Sequence, residues 1–460
     1  MTRFLLLLIL VYGCKSITPE PPAIIKVFAP TPKIIVSTIT LPIEIDLKEG
    51  LKEVESQVPL KFQGADQPCA GLGYSYIFER GPINFEFQKN EVFFSVSGGL
   101  GLDVNYCPGC HSLFGEERCI TPRVYGSCGK NGEPQRKLIT KFQTSIQLNK
   151  NFQLEAKTKL TTVKLIDPCQ FSFMKINVTN EIEKTIQNEL VKQEKEIDQQ
   201  ISSVSIRPQL ISAWEELQRP ITLYDFGYLY LQPKSIAFDN INFQNQKATS
   251  NLQMTLSPTV LTNKKTTVKK TTLPTAMQQP VANKFELYID VVATYDSLNS
   301  LINSSLKGKP FVIDKKMIYI DSASLFQVSL DTLGVKVSFS GYAKGVLYFK
   351  GLPQLDTLTQ QLRVTNLSYT LSTKSVLLNT AKWLYTDKIL TYIQNNSTFD
   401  FLPYLNIIKT TISENLNQEL YEGVFLSGKL LDFAPKQVFI QDKNIMVRCL
   451  MNADLKLKIY

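Results

Sequence analysis

The sequence predicts an α+β fold in two related halves, each an antiparallel sheet carrying a long amphipathic helix. Three observations predict it. Strand-like sequence dominates, as in "YSYIFERGPINFEFQKNEVFFSVSGGLGLDV" and "KMIYIDSASLFQVSLDTLGVKVSFSGYAKGVLYFKG". Two long stretches carry apolar residues at helical spacing instead. One order, strand then short helix then proline, opens both halves.

The chain opens with Arg3 and an apolar run from Phe4 to Tyr12. The run is too short to span a bilayer, which takes roughly 20 residues, and has the form of a secretory signal. Val11-Tyr12-Gly13-Cys14 resembles a lipobox, in which the cysteine is acylated and becomes the new N-terminus. Tyr12 departs from the small or aliphatic residue usual there. The alternative is an ordinary signal with a chance cysteine. Residues 1–13 are therefore expected to be a lipoprotein signal, with Cys14 the lipidated residue. Lys15 at the next position, by analogy with enteric bacterial sorting, favours the outer membrane. Residues 14–33 hold five prolines between Pro19 and Pro32 and read as an extended tether.

A first half is expected over residues 34–257. "STITLPIEI" places Ile39, Leu41, Ile43 and Ile45 on one face of a strand, and Pro42 marks it as an edge. Leu47, Leu51, Val54 and Val58 then follow a helical stripe, with Asp46 as N-cap and Pro59 as the stop. Later, Ile182, Ile186, Leu190, Ile197, Ile201 and Val204 form the stripe of a long helix capped by Asn180 and Glu183. Residues 258–282, rich in Thr, Lys and Pro, read as a polar linker or hairpin tip. The second half, 283–460, repeats the order. Phe285, Leu287, Ile289 and Val291 alternate, the chain turns at Thr294, and Leu298, Leu301, Ile302 and Leu306 follow. A helix over 376–395 carries Trp383. A last one carries Leu402, Leu405, Ile408, Ile412, Leu416 and Leu420, stopped by Gly423.

At 460 residues the chain exceeds one ordinary core. Hydrophobic residues at 43% and charged residues at 20% are globular values. The net charge is +9, or +8 without Arg3, and no basic run interleaves with aromatics, so no nucleic-acid partner is expected. One histidine, His111, excludes any site that needs two. Hydrolase and phosphate-loop motifs are absent from the sequence. The chain reads as a non-enzyme without a cofactor.

Six cysteines, Cys69, Cys107, Cys110, Cys119, Cys128 and Cys169, precede residue 170, and four lie in a cluster near 105–130. Outside the cytosol disulfides are the default. Three bridges in one of 15 connectivities lead over a zinc site and over a redox-active Cys-Pro-Gly-Cys. Cys449 stands alone and reads as a buried free thiol.

"STITLPIEIDLKEGLKEVESQVP", "RPQLISAWEELQRPITL", "LYLQPKSIAF", "GVLYFKGLPQLDTLTQQLRVTNLSYTLSTKSVLLNTAKWL" and "LNQELYEGVFLSGKL" together resemble an uncharacterised family of bacterial lipoproteins, the domain of unknown function DUF4403. That family is similar to the TULIP, or BPI-like, tubular lipid-binding superfamily. The resemblance implies two related domains, each a curved antiparallel sheet wrapped around a long helix, with an apolar groove between them. It places Ile182, Ile186, Leu190, Ile197 and Ile201, and Leu405, Ile408, Ile412 and Leu416, as groove-lining candidates. The function it implies is binding or carriage of lipid by a membrane-anchored protein. The alternative is a structural or partner-binding envelope lipoprotein with a filled core, its protein partner unknown.

Overall fold

A computed structural model describes residues 16–17, 19–24, 32–113, 116–171, 176–223, 227–262, 270–281, 284–313, 315–370, 390–391, 393–394 and 397–460. The fold is mixed α/β, mostly strand, with five helices among the described residues. A twelve-stranded sheet occupies the centre and two peripheral sheets flank it. Among the described residues no helix is long and apolar enough to cross a membrane.

The central sheet is built around β2 (Ser37–Asp46). β2 pairs antiparallel along its whole length with β9 (Lys247–Leu256). On its other flank it meets β10 (Phe285–Thr294) through Thr38–Ile39 and β17 (Asn444–Ile459) through Ile43–Ile45. β17 also pairs with β10 and with β16 (Val424–Ile440). The alternation of β2 is seen as expected: Ile39, Leu41, Ile43 and Ile45 each pack against a buried core cluster. Its position corrects the reading of Pro42 as an edge marker. β2 is central, and Pro42 falls in the gap between the β10 and β17 pairings, where its missing N–H leaves no ladder bond unmade.

The first peripheral sheet has the order β8-β7-β5-β4-β3, with β6 on β5. These are β3 (Lys61–Asp66), β4 (Gly71–Gln88), β5 (Glu91–Cys107), β6 (Val124–Cys128), β7 (Arg136–Leu148) and β8 (Leu154–Leu165). The second has the order β11-β12-β13-β14-β15 and ends on Thr398–Asp400. Its strands are β11 (Pro310–Ile313), β12 (Lys316–Gln327), β13 (Leu333–Gly341), β14 (Lys344–Asp356) and β15 (Gln361–Thr370).

The same element order runs into both. β2 leads through α1 (Lys48–Gln57) to the β3–β4 hairpin, and β10 leads through α4 (Tyr295–Leu306) to the β11–β12 hairpin. In each, the short strand ends, a bulge follows at once (Arg80/Ile83; Ile320/Ser322), and the helix covers the edge thus exposed. Such bulges bend and twist a strand pair. Opposite the first bulge stands Gly98, where a Cβ would strike the Glu79 carbonyl and Arg80 Cα.

Other expectations shift. α1 starts at Lys48, and Asp46 accepts from the Lys48 N–H at 3.0 Å. The long helix, α2 (Thr179–Ser202), is opened by Asn177, whose side chain accepts from Thr179 N–H at 3.0 Å, not by Asn180 and Glu183. α3 (Arg207–Leu217) brings the buried Trp214 to the core. α5 (Leu402–Asn415) is shorter than its apolar repeat. Leu420 lies on the Gln418–Tyr421 strand, and Gly423 (φ +75°) turns that strand into β16 instead of stopping a helix. The expected helix over 376–395 falls outside the described residues except at 390–391 and 393–394.

Two polar stretches also lie against the body. In the expected linker, Leu273 and Ala276 are buried with Trp214, and Thr271 N–H donates to Gln218 Oε1 at 2.6 Å. Burying Leu and Ala against Trp outweighs the polar composition around them. In the expected tether, β1 (Ser16–Ile17) pairs in parallel with β14 and Pro19 is buried.

Candidate functional site

α2 lies along the open edge of β8. Leu165, Leu160 and Thr158 donate edge N–H groups to Glu183, Glu194 and Asp198, each at 2.7 Å. The dimensions match. Fifteen helical residues rise about 22 Å, and seven strand residues span about 23 Å. The acceptors recur at 183, 194 and 198, nearly whole turns apart, so one helical stripe serves the edge. Glu55 of α1 does the same for Ile83 N–H of β4 at 2.8 Å. Asn299 and Asn303 of α4 do so for Leu325 and Ala323 of β12, at 2.7 and 2.8 Å.

α1 and α2 thus flank the first peripheral sheet at β4 and β8, three strand spacings or about 14 Å apart. The face between them is mainly apolar, with Thr140 and the hydrogen-bonded pair Thr144 and Thr158 buried among the apolar side chains. Ile182 and Ile186 of α2 pack with Leu100, Leu138 and Leu165 at one side. Leu47 and Phe243 pack with Val92, Phe85 and Phe87 at the other. Between these clusters Phe94, stacked on Phe142 at 4.9 Å, is half-buried, as are Val96 and Leu160. Between the edge bonds made by Glu183 and Glu194, Glu183 and Gln187 with Leu160–Lys164 line a cavity of about 350 Å³.

The apolar face continues outward along β4 and β5. Phe78, Tyr76, Tyr74 and Leu72 alternate opposite Leu100, Leu102, Val104 and Tyr106. It ends in one row across three strands, Leu72, Tyr106 and Val124, exposed at 59%, 50% and 57%. The reverse face of this tip is polar. Arg123 donates to Asn105 and to the Pro68 and Cys69 carbonyls, and Lys130 pairs with Asp103 at 2.9 Å.

Disulfides brace the tip: Cys69–Cys110, Cys107–Cys119 and Cys128–Cys169. They take up all six thiols of the first half. The two cysteines of Cys-Pro-Gly-Cys pair with different partners, so they form no redox dithiol, and zinc would find no thiolate there. Among the described residues no group of His, Cys, Asp and Glu is placed to hold a metal. Cys449 is free and buried, as its isolation in the sequence predicts, and burial pushes its thiol up to about 12.

Of the groove-lining candidates, Ile182 and Ile186 meet the apolar face. Leu190, Ile197 and Ile201 are half-buried along α2. On α5, Leu405 and Ile408 pack into the central core beside Leu287, Phe433 and Cys449, while Ile412 and Leu416 are half-buried. Cys14 lies outside the described residues. The edge carboxylates and the Leu72–Tyr106–Val124 row are not among the sequence candidates. The row is signalled only by apolar residues at alternate positions in a cysteine-rich stretch.

A family model described as a domain of unknown function (DUF4403) matches residues 36–459. The chain belongs to the DUF4403 family. Among solved structures, this DUF4403 chain is similar to a lipopolysaccharide binding protein, at 11% identity and a TM-score of 0.27, covering 96% of this chain and 100% of that one. It is also similar to P47 of Clostridium botulinum E1, at 10% identity and a TM-score of 0.20, covering 90% and 99%. P47 of Clostridium botulinum A2 gives 8% identity and 0.21, covering 89% and 96%. No curated protein matches the DUF4403 sequence.

Proposed function

We propose that this chain binds a lipid or similar apolar chain over the face of the first peripheral sheet, between α1 and α2. One observation carries the reading. The apolar stripe is continuous from the half-buried Phe94, Val96 and Leu160 to the exposed Leu72, Tyr106 and Val124. A stripe that only filled a core would close over. This one has both a lined interior and an open mouth, and burying each ligand CH₂ there gains about 0.8 kcal/mol. In the same reading each half is a curved sheet paired with its helix, the protein carries its ligand without turnover, and an acylated Cys14 holds it to the membrane, with Lys15 favouring the outer one.

Solvent extraction of the purified protein followed by mass spectrometry tests this. About one lipid per chain is expected, falling severalfold in Val96→Arg and Leu160→Arg variants that keep their thermal transition. A lipid-free wild type overturns the reading. The second reading, a structural or partner-binding lipoprotein with a filled core, is favoured by α5, whose Leu405 and Ile408 are already packed against core residues. It predicts no extractable lipid in either case.

A further inference from the structure

We propose that the end of the second peripheral sheet, where the β11–β12 and β13–β14 turns meet, docks onto an anionic bilayer surface. At this end the sheet turns an apolar row outward. Val312 pairs with Met317, and Tyr342 N–H donates to the Met317 carbonyl at 2.9 Å. The three side chains stand side by side across the sheet, with Val312 and Tyr342 exposed at 65% and 63%. Tyr319, two pairs further in on the same face, is exposed too. The opposite side of the same strands, Ile318 and Phe339, is buried core. Aliphatic side chains flanked by tyrosines suit the boundary between acyl chains and headgroups.

Lysines ring this row. Lys307, Lys309, Lys315 and Lys344 are exposed, and Lys316 Nζ lies 4.9 Å above the Tyr342 ring. Asp314 and Asp321 are the acidic residues in the same stretch, and Asp321 accepts from Ser340 at 2.6 Å. Five lysines against two aspartates leave an excess of three positive charges around an apolar patch. That is the complement of an anionic headgroup layer over hydrocarbon.

The short strand β1 arrives at the same place. β1 sets Ser16 opposite Lys344 and Ile17 opposite Gly345. From Ser16 the covalent reach to Cys14 is at most about 7 Å. On the reading above, in which an acylated Cys14 is the anchor, this end of the sheet would stand within that reach of the bilayer. Patch and anchor together would hold one end of the molecule against the membrane. The proposal stands apart from the groove reading, since either surface can bind lipid without the other.

Hydrogen exchange of the full chain bound to vesicles tests it. On phosphatidylcholine–phosphatidylglycerol vesicles, peptides covering 309–319 and 340–345 should exchange several-fold more slowly than in the vesicle-free protein. Charge reversal at Lys309, Lys315 and Lys344 should remove most of that protection and weaken vesicle binding about tenfold or more. The double change Met317→Ser and Tyr342→Ser should remove it with the charges intact. Unchanged exchange at both turns in the wild type overturns the proposal without reference to any variant. So does protection found instead at the Leu72–Tyr106–Val124 tip.

Discussion

Arg80 is almost fully buried and gathers the end of α1. Its guanidinium donates to Glu55 Oε1 at 2.6 Å and to the carbonyls of Glu55, Val58, Pro59 and Gly81. The Arg80 hydrogen bond, with the one from Ile83 N–H, holds the Glu55 carboxyl below its usual value. Arg80→Met should cost about 3–5 kcal/mol, because it strands a carboxylate and several carbonyls at once. Chemical denaturation measures it. Glu44 joins three strands by accepting from Lys247 at 2.8 Å and Lys456 at 2.6 Å. Those bonds, Lys247's first, lower its carboxyl from 4.5 to about 2. A depressed carboxyl stabilises the fold above its unfolded value and loses that contribution as the pH falls. Thermal stability should therefore decline between pH 4.5 and about 2, and Glu44→Gln should flatten the decline. Cys449, its thiol pushed up by burial, should resist alkylation until the chain unfolds.

Among the elements, α2 closes an edge that would otherwise offer a row of bare N–H groups to any other strand. Replacing Glu194 and Asp198 with Ala should cost about 1 kcal/mol each. It should also speed hydrogen exchange at Leu160 and Thr158 while leaving the interior of β7 protected. Cys128–Cys169 ties β6 to the chain just before α2 across 41 residues. A double Cys→Ala change there should cost about 4 kcal/mol by loop entropy. The helices and strands themselves were legible because their periods are local: β2 and α2 announce themselves within a dozen residues. What the helices do was not. Glu183, Glu194 and Asp198 have the spacing of a solvated face, and nothing in a 3.6-residue period tells water from a strand edge. Gly423 read as a helix stop because turns and helix ends favour the same residue. Leu273 and Ala276 were masked by the threonines and lysines around them.

At the scale of the whole molecule, the recurring order of strand, short helix and proline could be read from two short stretches, while the bulged hairpin that follows each helix could not. The central sheet could not. Ile43 pairs with Leu457, so the ladder joins residues more than 400 apart, and no window of sequence contains both. A groove between helix and sheet was implied by the family resemblance, but only its helix residues were named, because the apolar sheet face comes from four strands whose register the sequence does not print.

That long pairing carries a consequence for how the protein is made. β17 supplies a partner to β2, β10 and β16 at once, yet its start is made more than 400 residues after the start of β2. The β4–β5 hairpin can form early, but the central sheet has to wait for residues 444–459. Contacts of such sequence separation fold slowly, and until they form, β2 and β10 are open templates for their neighbours. Strands this far apart in sequence that hold each other make the central sheet depend on both being present. Deleting residues 444–460 should leave a product that proteases degrade throughout, with no stable core fragment surviving on a gel.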